Sequence, residues 1–385
     1  MTDLPLTLAL ATPAYLVGVW HVVVFLIMLS VLVVLHEAGH FWLARWNGVR
    51  VNDFAVGFGP TLLKWTSPRS GTNYRLNLLP IGGYCAMQGE DGKTSEAEQQ
   101  RTFREHVEGP LADDNFQSKS PLRRLSIVVA GPIANFILAY AILFVAATTF
   151  GIASTTFSTQ IGPLEAGSPG AKAGLQVGDR IVALDGVPVA SGESLVDKIK
   201  ASAGVPLEVT FVRHGVQQTV KVTPRADKVD GKTIGRIGFL RIPEFQRVNP
   251  IAAVPVAGTE FYNALAGQLT GYAELFAHPV QHASSLSGVI GMERAASEYQ
   301  DLGWALYLSL AAAISIALGL LNLLPFPALD GGRAVFILAE MLRGRPVEAE
   351  KEALVHVTGF AVLMVLMIAV AYHDIANIVS GKGVF

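Results

Sequence analysis

Residues 31–45 read VLVVLHEAGHFWLAR, with His36, Glu37 and His40 set inside a run that is otherwise apolar. Ionisable groups at the centre of a membrane helix cost about 2.5–3.5 kcal/mol or more and mark functional positions. His36 and His40 are one helical turn apart, so both imidazoles lie on one face and can share a metal ion. Glu37 follows the first histidine and can reach a water activated by that ion. H-E-x-x-H on a helix is the zinc-hydrolase pattern, with the glutamate as general base. His36 precedes Arg45 by two and a half turns, about 13 Å at 1.5 Å per residue. Trp42, Arg45 and Trp46 suit a membrane interface, which places the motif inside the bilayer, nearer the cytoplasmic face.

The rest of the chain supports a membrane setting. It has 385 residues, 51% hydrophobic and 16% charged, with a mean hydropathy of +0.42; soluble domains are nearer one quarter charged. The net charge of -2 gives no reason to expect nucleic acid, and the single cysteine, Cys85, excludes an intrachain disulfide. Four stretches are long and apolar enough to span a bilayer: 15–46, 125–150, 303–332 and 354–376. The first has no Lys or Arg before Arg45 and exceeds the apolar core of a cleavable signal peptide, so it reads as a retained span. Basic residues between the first two spans, and Arg343, Arg345 and Lys351 before the fourth, put those loops in the cytoplasm and both termini outside.

Between spans one and two, 47–91 alternates and is punctuated by Gly57, Gly59, Pro60, Ser70 and Gly71. This reads as short strands and hairpins, either re-entrant beside the polar site or an ordinary cytoplasmic hairpin. The segment 92–124 reads as a polar cytoplasmic connection. In the second span, Gly131, Ala134 and Asn135 put small and polar groups where helices pack, and Asn135 reads as packing glue.

Outside the membrane, 158–245 carries local signals for one small α+β domain. Arg180–Leu184 is a strand, Asp185-Gly186 a tight turn, and Ser191 the cap of a helix from Gly192 to Ser202 ended by Gly204. Glu208 to Val212 and Gln217 to Val222 form a hairpin around His214-Gly215. The order resembles a bacterial PDZ domain, a fold that binds extended peptides by strand addition. The segment 246–302 is helical and periplasmic or interfacial. His278 and His282 read as surface histidines, and His356, in the fourth span, as a hydrogen-bonded packing residue rather than a relay.

Two histidines leave a catalytic zinc site short of its usual third protein ligand. In LNLLPFPALDGG, at the end of the third span, Pro325 and Pro327 break the helix and set Asp330 at comparable depth. Asn322, just before the break, offers an amide to a substrate backbone or a developing oxyanion. HEAGH, VGFGP, LPIGGY, AGPIANF, one PDZ-like insert and NLLPFPALDGG together resemble the site-2 protease family, in its bacterial regulator-of-sigma-E protease branch, over nearly the whole chain.

The resemblance implies a polytopic α-helical inner-membrane protein with four spans, a membrane-associated β-hairpin region and one periplasmic PDZ-like domain. It implies Zn2+ held by His36, His40 and Asp330, with Glu37 as base and Asn322 near the substrate. The expected substrates are single-pass membrane proteins, such as anti-sigma factor-like proteins or signal peptide remnants, first trimmed by a site-1-type protease. Tyr74, Arg75, Leu76, Asn77 and Leu78 are expected to pair with the unwound substrate as an added strand. One PDZ-like unit stands where the enterobacterial pattern has two. Two other functions share some of these features: a metal- or proton-coupled transporter lined by His36, Glu37 and His40, and a PDZ membrane adaptor with an inactive metal motif.

Overall fold

In the computed structural model, residues 14–90, 113–165, 167–229, 232–278, 288–347 and 349–379 are described. Most of the expected connection over 92–124, together with His282, lies outside them. Among the described residues, four helices are long and apolar enough to cross a membrane: α1 (Ala14–Trp46), α2 (Pro121–Thr149), a third at Trp304–Leu323 and a fourth at Ala349–Val379. On α1, Phe25, Leu29, Leu32, His36 and His40 are buried, in steps of three or four residues that define one face. Val19, Val23, Ile27 and Val31 are exposed on another stripe, as a helix facing lipid requires. The polar motif therefore sits on the packed face, where protein can satisfy it.

After α1 come β1 (Val51–Thr66) and β2 (Asn73–Met87), two long strands that pair with each other. They bend so that part of the ladder is partnered twice. Tyr74 stands opposite both Phe54 and Trp65, and Arg75 opposite both Ala55 and Lys64. Residues 83–87 have one partner each, in 51–56. Phe58, Leu62, Leu63, Trp65, Leu78 and Leu79 are exposed, an apolar surface large enough to call for lipid or a partner.

Contacts divide the chain into two compact units. The first gathers α1, β1, β2 and the first part of α2 with most of the third and fourth long helices and the short helix between them. The second holds most of the remaining elements, including β3 (Ile152–Leu164), α3 (Pro169–Lys172), β4 (Arg180–Leu184), β5 (Val187–Pro188), α4 (Gly192–Ala201), β6 (Leu207–Arg213), β7 (Val216–Val222), β8 (Arg225–Val229), β9 (Lys232–Arg236) and β10 (Phe239–Gln246). Its main sheet runs β10-β3-β4-β6-β7, with β5 on β4, and β8-β9 form a separate hairpin.

The turns are formed as their residues dictate. Asp185-Gly186 and His214-Gly215 both have positive φ at each position, 49° and 73°, then 49° and 79°, the conformation a two-residue hairpin demands. The Ser191 side chain accepts from the Ser194 N–H while the Ser194 side chain accepts from the Ser191 N–H, closing a capping box on α4. Leu175, Ile181, Leu184, Leu195, Ile199, Leu207, Val209 and Phe211 fill the core under this sheet. The next helices are α5 (Pro250–Ala277) and α6 (Val289–Leu302).

The third long helix, α7 (Trp304–Leu323), ends before Pro325, as the prolines require. The chain then does something the sequence reading over 303–332 does not foresee. Asp330 opens a separate amphipathic helix, α8 (Asp330–Arg343), closed by Gly344 in the left-handed conformation. The fourth long helix, α9, follows at Ala349–Val379.

Candidate metal centre

Helical spacing on α1 and the break before α8 bring three donors together. His36 Nε2 and His40 Nε2 are 3.3 Å apart. Asp330 Oδ2 lies 3.2 Å from the first and 3.4 Å from the second. Three donors at about 2.0–2.1 Å from a tetrahedral zinc ion are about 3.3–3.4 Å from each other, so the triangle has the dimensions of one face of such a site. Asp330 Oδ2 is buried and has no hydrogen-bond partner among the described residues. An acceptor left so, facing two imidazole nitrogens, suits a cation. Among the described residues this is the one group of three or more His, Cys, Asp or Glu side chains that could hold a metal.

The second nitrogen of each ring is also engaged. His40 Nδ1 is 2.9 Å from the Ile127 carbonyl. A carbonyl only accepts, so Nδ1 carries the proton and Nε2 keeps its lone pair for a metal. His36 Nδ1 is 3.2 Å from Nδ2 of the Asn135 side-chain amide. Exchanging the amide's two near-equivalent heavy atoms would let Oδ1, otherwise buried without a partner among the described residues, accept the ring N–H. His36 Nε2 is then free in the same way. Asn135 is wholly buried; its side chain orients a candidate ligand, while its own carbonyl accepts from Ser315 Oγ of α7 at 2.8 Å. Gly131, one turn earlier on α2, makes room for both rings. A Cβ there would stand 2.2 Å from His40 Nε2 and 2.8 Å from His36 Cε1, which no side chain can occupy.

Two ion pairs seat α8, and with it Asp330. Arg124, at the start of α2, pairs with Glu340, and Arg333 pairs with Glu90, just past β2. Arg124 also donates to the Lys119 carbonyl at 3.1 Å and to Gln117 Oε1 at 2.9 Å, so each of its three side-chain nitrogens has a partner.

Glu37 opens onto a cavity of about 250 Å3 shared with His40, Asp330, Tyr84, Cys85, Met87, Glu90, Arg333 and His356. The 83–87 stretch runs past it. A Cβ at Gly83 would come within 3.7 Å of Glu37 Cγ. Asn322, in the last turn of α7, places Nδ2 3.5 Å from His36 Nε2, at the rim of the triad.

The five residues expected to pair with substrate are placed differently. Tyr74, Arg75 and Leu76 have ladder partners on both sides, so their backbone has no open edge for another strand. Asn77 is buried, donating to the Gly57 carbonyl at 2.8 Å and accepting from Thr61 Oγ1 at 3.0 Å. Leu78 is exposed. None of the five lines the cavity with Glu37; the residues of β2 that do are Tyr84, Cys85 and Met87. The functional positions that sequence reading misses are Gly131, Asn135, Arg333 and Glu90. The four-residue step from Gly131 to Asn135, matching that from His36 to His40, is the signal that points to the first two.

A model of peptidase family M50 matches residues 24–366. Zinc metalloprotease RasP of Geobacillus kaustophilus is 30% identical over 422 residues, covering 92% of this chain and 97% of that protein. Metalloprotease MmpA of Caulobacter vibrioides is 31% identical over 377 residues, covering 91% of this chain and 94% of its own. Among solved structures, the PDZ domain of an SdrC-like protein from Listeria monocytogenes is 21% identical over 24% of this chain and 94% of its own, at a TM-score of 0.20. That score is too low to argue a fold from, and the PDZ-like description rests on the strand order.

Proposed function

The chain belongs to peptidase family M50 and is an intramembrane zinc metalloprotease, and on that premise we propose that it cuts single-pass membrane proteins in or near their spans, after another protease has shortened them. The observation that carries this reading is the triangle of His36, His40 and Asp330 beside Glu37, with both histidines and Glu37 on a helix apolar enough to span a membrane. Zinc is the expected cofactor, and two imidazoles with one carboxylate suit it. When bound there, zinc supplies a Lewis acid that makes water acidic near neutral pH and polarises a peptide carbonyl.

The chain's own residues do the rest. Glu37 takes the proton from water and passes it to the leaving amine. His40 and His36 are held in the ligating tautomer by the Ile127 carbonyl and by Asn135. Asn322 Nδ2 is close enough to the triad to donate to the oxygen on which charge develops. A helical substrate hides its amides, so it must unwind to be cut. The singly partnered edge at 83–87 passes Glu37 and is where an unwound segment adds as a strand. This replaces Tyr74 to Leu78 as the pairing surface.

The same reading sets the topology. Trp42, Arg45 and Trp46 mark the cytoplasmic end of α1, and Arg123 and Arg124 that of α2. The metal site then lies within the bilayer of a bacterial inner membrane, nearer its cytoplasmic face. The PDZ-like domain faces the periplasm, where it meets trimmed substrates such as anti-sigma factor-like proteins or signal peptide remnants. The test is cleavage of a pre-trimmed single-span substrate by purified wild type and Glu37→Gln in detergent, with zinc measured in both. Wild type cuts, Glu37→Gln holds zinc and does not cut. Cleavage by Glu37→Gln at the wild-type rate would remove Glu37 as the base.

A further inference from the structure

Helix α9 is almost bare: Val357, Phe360, Val362, Val365, Leu366 and Ile368 are all more than half exposed. A helix that only anchors a chain in lipid needs apolar residues and nothing else. Yet it carries His356 and Gly359, one turn apart and therefore on one face, and both meet the turn that leads into Asp330.

Gly359 is buried against Pro327. A Cβ at this position would fall 2.3 Å from Pro327 Cβ and 2.7 Å from the Pro327 carbonyl oxygen, so only glycine lets α9 come this close. The next residue, Ala328, has φ 78°, left-handed backbone that a residue with a Cβ adopts only when its surroundings impose it. Its N–H donates to His356 Nδ1 at 2.9 Å.

This hydrogen bond determines the state of the ring. A backbone amide can only donate, so Nδ1 is the unprotonated nitrogen and Nε2 carries the hydrogen in the neutral ring. His356 Nε2 is buried and has no partner among the described residues. Packing alone does not account for a histidine here, because a leucine or phenylalanine would fill the space without leaving a buried N–H unpaired. What the histidine adds is the acceptor at Nδ1.

We propose that His356 is a positioning residue for the metal centre: with Gly359 it braces the strained Pro327-Ala328 turn from α9, and so fixes where Asp330 meets His36 and His40. The proposal rests on the reading of His36, His40 and Asp330 as zinc ligands. It makes the fourth long helix part of the metal site rather than an anchor beside it. Residues that orient metal ligands from behind typically change affinity by about 10–100-fold when replaced.

The test is zinc and cobalt binding to the purified full chain in detergent, with no substrate present, so its result is independent of whether the protein cuts what we propose. His356→Leu removes the acceptor. His356→Asn restores one, because the asparagine Oδ1 occupies nearly the position of the imidazole Nδ1. Gly359→Val displaces Pro327 by a separate route. Circular dichroism and the thermal midpoint report whether each variant folds. The proposal expects His356→Leu and Gly359→Val to weaken zinc binding about 10–100-fold and to alter the visible cobalt(II) bands, with His356→Asn within about threefold of wild type. Wild-type affinity and cobalt spectrum in folded His356→Leu would overturn it. So would a loss in His356→Asn as deep as that in His356→Leu.

Discussion

Two aspartates, each beside glycine and each at the start of a regular element, end in opposite states. Asp179 in the PDZ-like domain is 1% exposed. Its Oδ1 accepts from Arg213 Nε at 2.7 Å, and its Oδ2 from Arg213 Nη2 at 2.7 Å and from the Gln176 N–H at 2.8 Å. The bidentate carboxylate holds the Arg213 guanidinium pKa above its ordinary value, chiefly through that hydrogen bonding. Asp330 is also largely enclosed, yet among the described residues Oδ2 has no hydrogen-bond donor, and it faces two imidazole nitrogens. A buried carboxylate whose acceptors are all used is a structural fastener. One left open toward other lone pairs is a place for a cation. The carboxylate chemistry is the same in both; only the completeness of its partners separates them.

The contrast breaks most sharply at Asp330. Asp330→Ala should abolish zinc binding and reduce cleavage to background while the PDZ-like domain still folds; zinc analysis with hydrogen exchange on residues 180–222 checks both. Glu37→Gln should keep zinc but lower the cleavage rate by about 10²–10⁴-fold, the range for a lost general base; single-turnover kinetics measures it. Gly131→Ala puts a methyl group against both imidazoles, and zinc affinity should fall at least tenfold, read by competition with a chelator. Asp179→Ala is the reverse control. It strands Arg213 and should destabilise the PDZ-like domain by about 3 kcal/mol, the low end for breaking a buried pair because Arg213 is partly exposed. Zinc content should be unchanged, and thermal unfolding with metal analysis separates the two effects.

What could be read from the chain was what local rules govern. His36 and His40 are four apart on any helix, two prolines in three residues before Asp330 interrupt one, and Asp185-Gly186 and His214-Gly215 supply the positive φ that a two-residue turn needs. Those features are where the structure puts them. The helix that begins at Asp330 was hidden because Pro325, Pro327, Gly331 and Gly332 read as a turn and mask its start. The double pairing of Tyr74 and Arg75 depends on how two long strands curl back on each other, which no alternation pattern records. In the sequence Gly131 and Asn135 read as packing residues, because their contacts with the imidazoles exist only once α2 lies against α1. In the sequence His356 reads as a hydrogen-bonded packing residue, but its partner, the Ala328 N–H, is known only from the fold.

Transport and adaptor functions share the membrane helices and the PDZ-like domain, but neither calls for Glu37 beside a three-donor site. The central claim is that side chains from α1 and α8 jointly hold one zinc ion. Zinc K-edge X-ray absorption on the purified Glu37→Gln protein tests it most directly. The account predicts one zinc per chain, ligated only by nitrogen and oxygen at about 2.0–2.1 Å, with two imidazoles, and loss of that signal in Asp330→Ala. A sulfur ligand at about 2.3 Å, which Cys85 would have to supply, or an unchanged spectrum in Asp330→Ala, would contradict it.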